Sequence, residues 1–180
     1  MLEKLRRLLA SCDAFDEPFQ PKVQSRLLLF PTDGFLLTQR QFEALGAASS
    51  HLGDATAFCV ITEGLELSEE TAPNYYEFGL RDYSGYRKLR DSGCVLQENV
   101  LLSDSGSWAV LISQEFHALL GGPPPFVAEF SRVYPGRSAE FDRFVEAWKA
   151  NAARIGSDIS WLSKLSSHLH PGTDERYQEP

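Results

Sequence analysis

The sequence predicts a single α+β domain in which a mainly antiparallel central sheet has helices packed against it. The chain has 180 residues, a length that suits one domain with a sizeable core. Short apolar runs cluster in the middle of the chain and are joined mostly by short turns, which favours antiparallel pairing. Apolar residues at helical spacing dominate both ends. We therefore expect one domain over residues 1–170 and a flexible tail over residues 171–180.

The first half of the chain predicts two helices and several strands. Apolar residues from Leu2 to Cys12 recur at helical spacing, which indicates a short helix. A second helix begins at Thr38, which fits a capping box with Gln41. The predicted strands are short apolar runs near turn-forming residues, at 26–30, 57–62, 75–80 and 93–102.

Residues 99–122 predict a β-hairpin followed by a short helix. The turn cluster Ser103-Asp104-Ser105-Gly106 separates two apolar runs, and the second run contains Trp108. Apolar residues occupy both parities of that second run, so both faces of the sheet should be covered. Ser113 is suited to cap a helix over the following residues, and Gly121-Gly122 would end it.

The C-terminal third predicts one further strand and two helices. Residues 126–134 could form a strand or a helical turn, and we favour a strand. Ser138 is suited to cap the clearest helix of the chain, whose apolar stripe runs from Phe141 to Ile155. A last helix is expected to start near Asp158 and to bury Ile159 and the leucines that follow at helical spacing.

Composition excludes several classes of function. The formal net charge is -8 and the pI is about 5.0, so general binding to nucleic acid is disfavoured, because that affinity comes from neutralising phosphates. The three cysteines lie far apart, which predicts free thiols rather than a secreted disulfide framework. The N-terminus does not resemble a signal peptide, and no apolar run is long enough to span a bilayer. We expect a cytoplasmic protein without a membrane partner.

No motif fixes a chemistry, and the sequence predicts neither a cofactor nor a metal site. Cys94 is the one candidate nucleophile and His117 a candidate acid or base, but no partner for either is identifiable. Cys59 lies in an apolar strand and should be a core residue. His168 and His170 are two positions apart, which suits surface histidines near a helix end better than a metal pair.

The charge pattern is the most informative feature. No Lys or Arg occurs from Gly53 to Leu80, whereas six carboxylates do. The next segment, RDYSGYRKLR, is a basic and aromatic block of the composition found at interface hot spots, and we expect it on a loop. Its composition suits a recognition surface and, equally well, a solvated hairpin loop with incidental charge. The predicted partner surface consists of Glu63, Glu66, Glu69, Glu70, Glu77, Tyr83, Tyr86, Arg87 and Arg90.

The segment ENVLLSDSGSWAVLISQEFHALLGG, residues 98–122, resembles a hairpin-plus-helix segment of small bacterial proteins, some of which are immunity proteins of polymorphic toxin systems. Trp108, the turn at 113–115 and Gly121-Gly122 carry the resemblance. It implies a cytoplasmic protein that binds and blocks a cognate toxin without catalysis, and the acidic stretches would suit a basic toxin, typically a nuclease. No catalytic residue of such a family can be placed on this chain.

Three functions are compatible with these observations. The first is a non-catalytic domain that binds a basic protein, as an immunity protein does. The second is a small hydrolase or transferase whose site is assembled in space, with Cys94 or His117. The third is a scaffold domain of a larger assembly. A pocket lined by perturbed titratable groups would favour the second, and a broad acidic face with exposed aromatic residues would favour the first.

Overall fold

The computed structural model describes residues 1–70 and 72–170, so the predicted tail at 171–180 lies outside the described residues. Within the described part, six helices and one six-stranded sheet follow the chain. Their bounds are α1 Leu2–Leu8, β1 Ser25–Leu29, α2 Gln39–His51, β2 Thr56–Ile61, β3 Tyr75–Gly79, α3 Tyr83–Asp91, β4 Asn99–Ser103, β5 Ala109–Ile112, β6 Ala118–Gly122, α4 Pro124–Val133, α5 Arg137–Ile155 and α6 Trp161–Leu169.

The sheet has the strand order β1-β6-β5-β4-β2-β3, and every neighbouring pair is antiparallel. This confirms the predicted α+β class. The hairpin prediction is also confirmed, since Val100 of β4 pairs with Leu111 of β5. Trp108 precedes β5 by one residue and is fully buried, with its indole stacked on Phe126 at a centroid distance of 5.4 Å.

Helices cover both faces of the sheet, so two hydrophobic cores form. The first core lies under α2, α3 and α4 and contains Cys59 and Leu101. The second lies under α1, α5 and α6 and contains Val60 and Val100. Adjacent residues of one strand therefore enter different cores, because side chains alternate across a strand. This alternation explains why the central strands are apolar at both parities.

The capping box that predicts α2 is present. The Gln41 backbone N–H lies 3.4 Å from Thr38 Oγ1, and the Thr38 backbone N–H donates to Gln41 Oε1 at 3.0 Å. The apolar stripe of α5 is confirmed at Phe141 and Phe144, but Ile155 at its end is 65% exposed. That helix begins at Arg137 after Gly136, one residue earlier than the predicted cap. Ile159 precedes α6 instead of lying in it.

The helix predicted after Ser113 is wrong, because the chain makes a second hairpin there and continues as β6. Ser113 N–H donates to the His117 carbonyl at 3.0 Å and closes that turn, and Phe116 takes a positive φ of 60°. Leu119 and Leu120 enter opposite cores, so their adjacency reflects a strand buried on both faces. Position 121 of this strand is glycine because a Cβ there would lie 2.5 Å from the Phe19 ring.

Three other predicted elements are also corrected. Residues 126–134 fall in helix α4, where Phe126, Val127 and Phe130 form a one-sided apolar stripe. The basic and aromatic block forms helix α3 instead of a loop, because Asp82 caps it by accepting from the Gly85 N–H at 2.8 Å. The strand predicted from Gly93 begins only at Asn99.

Candidate functional site

The loop between β2 and β3 presents its carboxylates to solvent. Glu63, Glu66, Glu69 and Glu70 are all exposed. The loop is held from beneath, because Arg6 of α1 donates to the carbonyls of Leu67 at 2.6 Å and Glu69 at 2.7 Å. Leu65 and Leu67 pack against the second core. The contacts that fix the loop thus use backbone and apolar atoms and leave its acidic side chains outward.

Strand β3 continues this surface at one edge of the sheet. Glu77 pairs across the sheet with Phe58 and lies on the same face as α1. Tyr75, on that same face, is 51% exposed, and its ring meets Phe58 edge-on at 5.6 Å. We call these two residues and the four loop carboxylates the acidic edge surface, which consists of Glu63, Glu66, Glu69, Glu70, Tyr75 and Glu77.

A groove of about 450 Å³ lies within the acidic edge surface. It is lined by Met1 and Lys4 of the N-terminal segment, by Phe58 and Tyr75 of the sheet, and by Glu70. The Lys4 ammonium is engaged outside the acidic set, since Nζ lies 3.0 Å from Asp104 Oδ1. It also lies 5.4 Å from the centre of the Phe58 ring. The groove therefore combines mostly apolar and aromatic side chains with the carboxylate of Glu70.

Four of the five carboxylates of this surface form no ion pair among the residues that the structure describes, namely Glu63, Glu66, Glu70 and Glu77. Their field reaches inward, because Glu66 adds to burial in raising the pKa of the Cys12 thiol to about 11. Like charges gathered without counter-charges repel one another, and a cation bound among them would relieve that repulsion.

Helix α3 lies on the opposite face of the sheet from the acidic loop. Its aromatic residues pack into the first core, whereas the loop packs on the second. Arg87 is exposed, and Arg90 forms an ion pair with Asp33 at 3.1 Å. The acidic and basic groups predicted as one surface therefore flank β3 from opposite faces.

Tyr86 requires a correction. It is fully buried, stacks on Phe42 at 4.7 Å and accepts a hydrogen bond from the Leu37 N–H at 3.0 Å. Tyr86 lies on the face of helix α3 that packs against the first core, so its ring is buried there. Tyr83 is half-buried beside the same Phe42 ring, at 5.5 Å. Tyr86 is thus not available to a partner in the folded protein.

The candidate nucleophile Cys94 has no base beside it among the described residues. It is half-buried, and its sulfur accepts from Ser92 Oγ at 3.2 Å. All three cysteines are free, as the sequence predicts. Cys59 is confirmed as a core residue, and burial raises the pKa of its thiol to about 12. A thiol that attacks a substrate needs an adjacent base or positive field, and neither thiol has one among its described contacts.

His117 is completely buried and directly precedes β6. Its Nε2 lies 3.3 Å from the Ala14 carbonyl, and its Nδ1 has no partner among the described atoms. The ring sits among aromatic side chains, with Phe144 at 4.9 Å and Phe15 at 5.0 Å. Burial lowers its pKa to about 4, so the imidazole is neutral at pH 7. Cys94 lies on the first-core side and His117 on the second, so the fold does not assemble a site from the two.

His168 was predicted at the surface, but the fold buries it. The Phe19 N–H lies 3.2 Å from His168 Nε2, and Arg26 Nη1 lies 3.1 Å from Nδ1. Arg26 Nη1 also donates to the His168 carbonyl at 2.6 Å. Burial, followed by the charge of Arg26, lowers the pKa of His168 to about 4. This cluster fastens α6 to β1 and the N-terminal loop. His170 is exposed.

Two buried carboxylates escaped prediction because their partners are distant in sequence. Asp54 Oδ2 accepts from Trp108 Nε1 at 3.1 Å and from Ser105 Oγ at 3.0 Å. Glu140 accepts from the Phe30 N–H at 3.1 Å and from the Tyr134 hydroxyl. Burial and Glu140 together raise the pKa of Tyr134 to about 12. Both carboxylates have their hydrogen-bond partners within the fold, so each serves as a structural anchor.

Within the described residues, no group of three or more His, Cys, Asp or Glu side chains is placed to hold a metal ion. No helix of that part of the chain is long and apolar enough to cross a bilayer. No protein-family model, curated protein or solved structure matches the chain.

Proposed function

We propose that this chain is a non-catalytic protein-binding domain, which takes a basic protein on the acidic edge surface. The observation that carries the proposal is the placement of exposed carboxylates, four of them outside the described ion pairs, beside a largely apolar groove at an open edge of the sheet. The loop carboxylates are exposed although the loop that carries them is fixed. No contact among the described residues requires these carboxylates to lie close together, whereas binding of a basic partner would.

Electrostatic attraction would act first on the rate of association. A surface of one sign steers an oppositely charged protein toward it, and rate constants can rise from roughly 10⁵–10⁶ to 10⁸ M⁻¹s⁻¹ or more at low salt. Added salt screens exposed charges, so association should slow as ionic strength rises. Tyr75, together with the apolar groove, would supply the contact that holds the partner once it has arrived.

The partner class we favour is a basic toxin, which this chain would neutralise by covering its cationic surface. Support comes from the resemblance of residues 98–122 to immunity proteins, from the acidic edge surface and from the three free thiols, which suit a reducing cytoplasm. Residues 98–122 contain the strand run β4-β5-β6, so the hairpin part of that likeness agrees with the fold and the helix part does not. No catalysis by this chain is required.

Site-specific photo-crosslinking tests the proposal. A photoreactive residue at exposed Ser68, within the acidic loop, should capture a basic protein in cells. The same residue at exposed Ala153, on α5, should not capture it. If that protein arrests growth of a bacterial host when expressed alone, co-expression of this chain should restore growth.

Two variants that change the net charge by the same amount, one within the acidic edge surface and one outside it, test the role of these carboxylates. The first reverses Glu63, Glu66 and Glu70 to lysine, and the control reverses exposed Glu17, Glu115 and Glu146. We expect the first variant to fold normally, since it alters exposed loop side chains, but to lose capture at Ser68. Equal capture by both variants, or equal capture at both crosslinker positions, would refute the acidic edge surface as the binding site.

A further inference from the structure

We infer that the partner binds by adding an extended segment to the sheet beside β3, an inference that rests on the proposed function. Binding of this kind, β-augmentation, draws affinity from main-chain hydrogen bonds and specificity from alternate side chains. It requires a strand whose outer backbone groups are free, a surface that accepts the side chains of the added segment, and charges that select its composition.

The hydrogen-bond alternation of β3 meets the first requirement. The Ile61 N–H donates to the Asn74 carbonyl at 3.0 Å, and the Leu80 N–H donates to the Ala55 carbonyl at 3.0 Å. In an antiparallel pair, hydrogen-bonded residues alternate along the strand. Even-numbered residues of β3 therefore turn their backbone groups toward β2, and Tyr75 and Glu77 turn theirs outward. These two N–H and two C=O groups have no hydrogen-bond partner among the described residues.

The opposite edge of the sheet, at β1, is built differently. Helices α4, α5 and α6 all contact β1. Directly after that strand, the Phe30 N–H donates to the carboxylate of Glu140 on α5 at 3.1 Å. The Phe30 donor beside β1 is thus satisfied from α5, whereas the outward groups of Tyr75 and Glu77 have no partner among the described residues. The two edges also differ in exposure, since Leu28 of β1 is buried and Tyr75 and Glu77 of β3 are exposed. Proteins commonly cover, charge or shorten exposed edges, because open edges pair with other chains.

The two faces flanking β3 dictate the composition of the added segment. On the α1 face it would lie beside Glu77, Tyr75 and the groove that Glu70 lines, which favours lysine or arginine together with an apolar residue. On the other face, α3 carries exposed Arg87 and Lys88, which disfavour further cations. Since successive side chains of a strand alternate between faces, the segment should be basic at every second position only.

A second copy of this chain is a poorer occupant of the edge. Two β3 strands paired with each other would bring two acidic edge surfaces together, in a chain whose formal net charge is -8. Like charges placed directly opposite in a sheet are destabilising. A basic, extended segment is the occupant whose charge complements this edge.

Substitutions at Glu77 separate backbone pairing from charge. Glu77→Pro removes an N–H that points outward, so it should cost no hydrogen bond to β2, a placement in which edge strands tolerate proline. Glu77→Gln removes the same charge and keeps that N–H. Thermal unfolding should show both variants folded. The probe is an acetylated, amidated octapeptide of alternating lysine and threonine, with fluorescence anisotropy as the readout.

A second, chemically independent comparison leaves the protein unchanged. An octapeptide of the same sequence, N-methylated at its central residues, keeps every charge and loses the backbone donors needed for pairing. We expect wild type to bind the unmodified peptide and Glu77→Gln to bind it more weakly. Glu77→Pro should bind about tenfold more weakly still, as loss of one interfacial hydrogen bond can produce. The methylated peptide should bind wild type at least about tenfold more weakly than the unmodified one.

Each contrary result has a defined meaning. Equal binding by Glu77→Pro and Glu77→Gln, with no effect of N-methylation, would overturn the added strand while leaving salt-dependent binding by the acidic edge surface intact. Absence of any probe binding by wild type would also overturn it, and crosslinking at Ser68 would then report separately on the proposed function. A wild-type dimer that Glu77→Pro converts to monomer would assign the edge to self-association instead.

Discussion

The anchor formed by Trp108 and Asp54 offers the sharpest test of how this fold is held together. Trp108 is fully buried, stacks on Phe126 with an interplanar angle of 6°, and donates its indole N–H to Asp54 at 3.1 Å. The contact joins the turn between β4 and β5 to the segment that leads from α2 into β2. Loss of the indole should therefore loosen two distant parts of the chain at once.

The expected magnitudes follow from these contacts. Trp108→Ala removes a buried aromatic side chain and should lower the free energy of unfolding by about 3–5 kcal/mol. Trp108→Phe retains a ring against Phe126 but loses the donor to a carboxylate. Hydrogen bonds to charged groups contribute about 1.5–3 kcal/mol, so we expect a loss of about 2 kcal/mol.

Urea denaturation followed by far-UV circular dichroism measures these losses. Trp148→Phe is the matched control, since that indole is half-buried and no hydrogen bond from its Nε1 occurs among the described contacts. It should cost clearly less than Trp108→Phe. A double-mutant cycle of Trp108→Phe with Asp54→Ala should show a coupling of about 1–2 kcal/mol, within the range for contacting residues. Additive losses, or equal losses at Trp108 and Trp148, would refute the anchor.

Two further predictions concern buried titratable groups. Because burial lowers the pKa of His117 to about 4 from an ordinary 6.5, the folded state favours the neutral ring. Its stabilisation is present in full above about pH 6.5 and is lost as pH falls toward 4, up to about 3 kcal/mol. Urea titrations at pH 7 and pH 4.5 should show a smaller acid loss for His117→Phe than for wild type, and an identical loss would contradict this. Alkylation of the native protein, followed by mass spectrometry, should modify half-buried Cys94 first and buried Cys59 last; labelling of Cys59 at the rate of unfolded protein would contradict its burial.

Local signals in the sequence predicted the elements whose cause is local. The capping box at Thr38 fixes the start of α2 through groups three residues apart, so it can be read directly from the chain. The turn at Ser103–Gly106 likewise specifies the hairpin of β4 and β5. Strands β2 and β3 were also predicted within one residue of their bounds, because apolar runs of that length with nearby turns favour strands.

Elements whose nature depends on the tertiary environment were missed. Leu119 and Leu120 match a helical stripe as well as a strand buried on both faces, and only the presence of two cores decides between them. Phe126, Val127 and Phe130 suit a strand on propensity, but together they form the stripe by which α4 covers the first core. His168 and Glu140 lie in burial sites made by residues more than one hundred positions away.

The candidate site likewise contains features that local sequence predicts and features that depend on tertiary structure. Exposure of the acidic loop could be predicted, because carboxylates are rarely buried without partners. The position of the basic block could not, since it depends on which face of β3 receives α3. Because this block forms a helix, Tyr86 is buried in the first core, and Arg87 and Lys88 lie on the opposite face of the sheet from the acidic loop. The open backbone groups of Tyr75 and Glu77 were also invisible, because strand order is a tertiary property.

Glu77 can be explained in a second way, as a charge that keeps an open edge from pairing with another copy of the chain. A charged residue on an edge strand commonly has this effect. Protection of this kind needs only the edge itself, however, and does not account for Glu63, Glu66 and Glu70, which lie outside β3. Those carboxylates instead belong to the loop that precedes β3, and Glu70 among them lines the groove that borders the edge. On the proposed function, the charge that would repel a second copy would therefore admit a basic segment, and one set of side chains would act both against self-association and in selecting the partner.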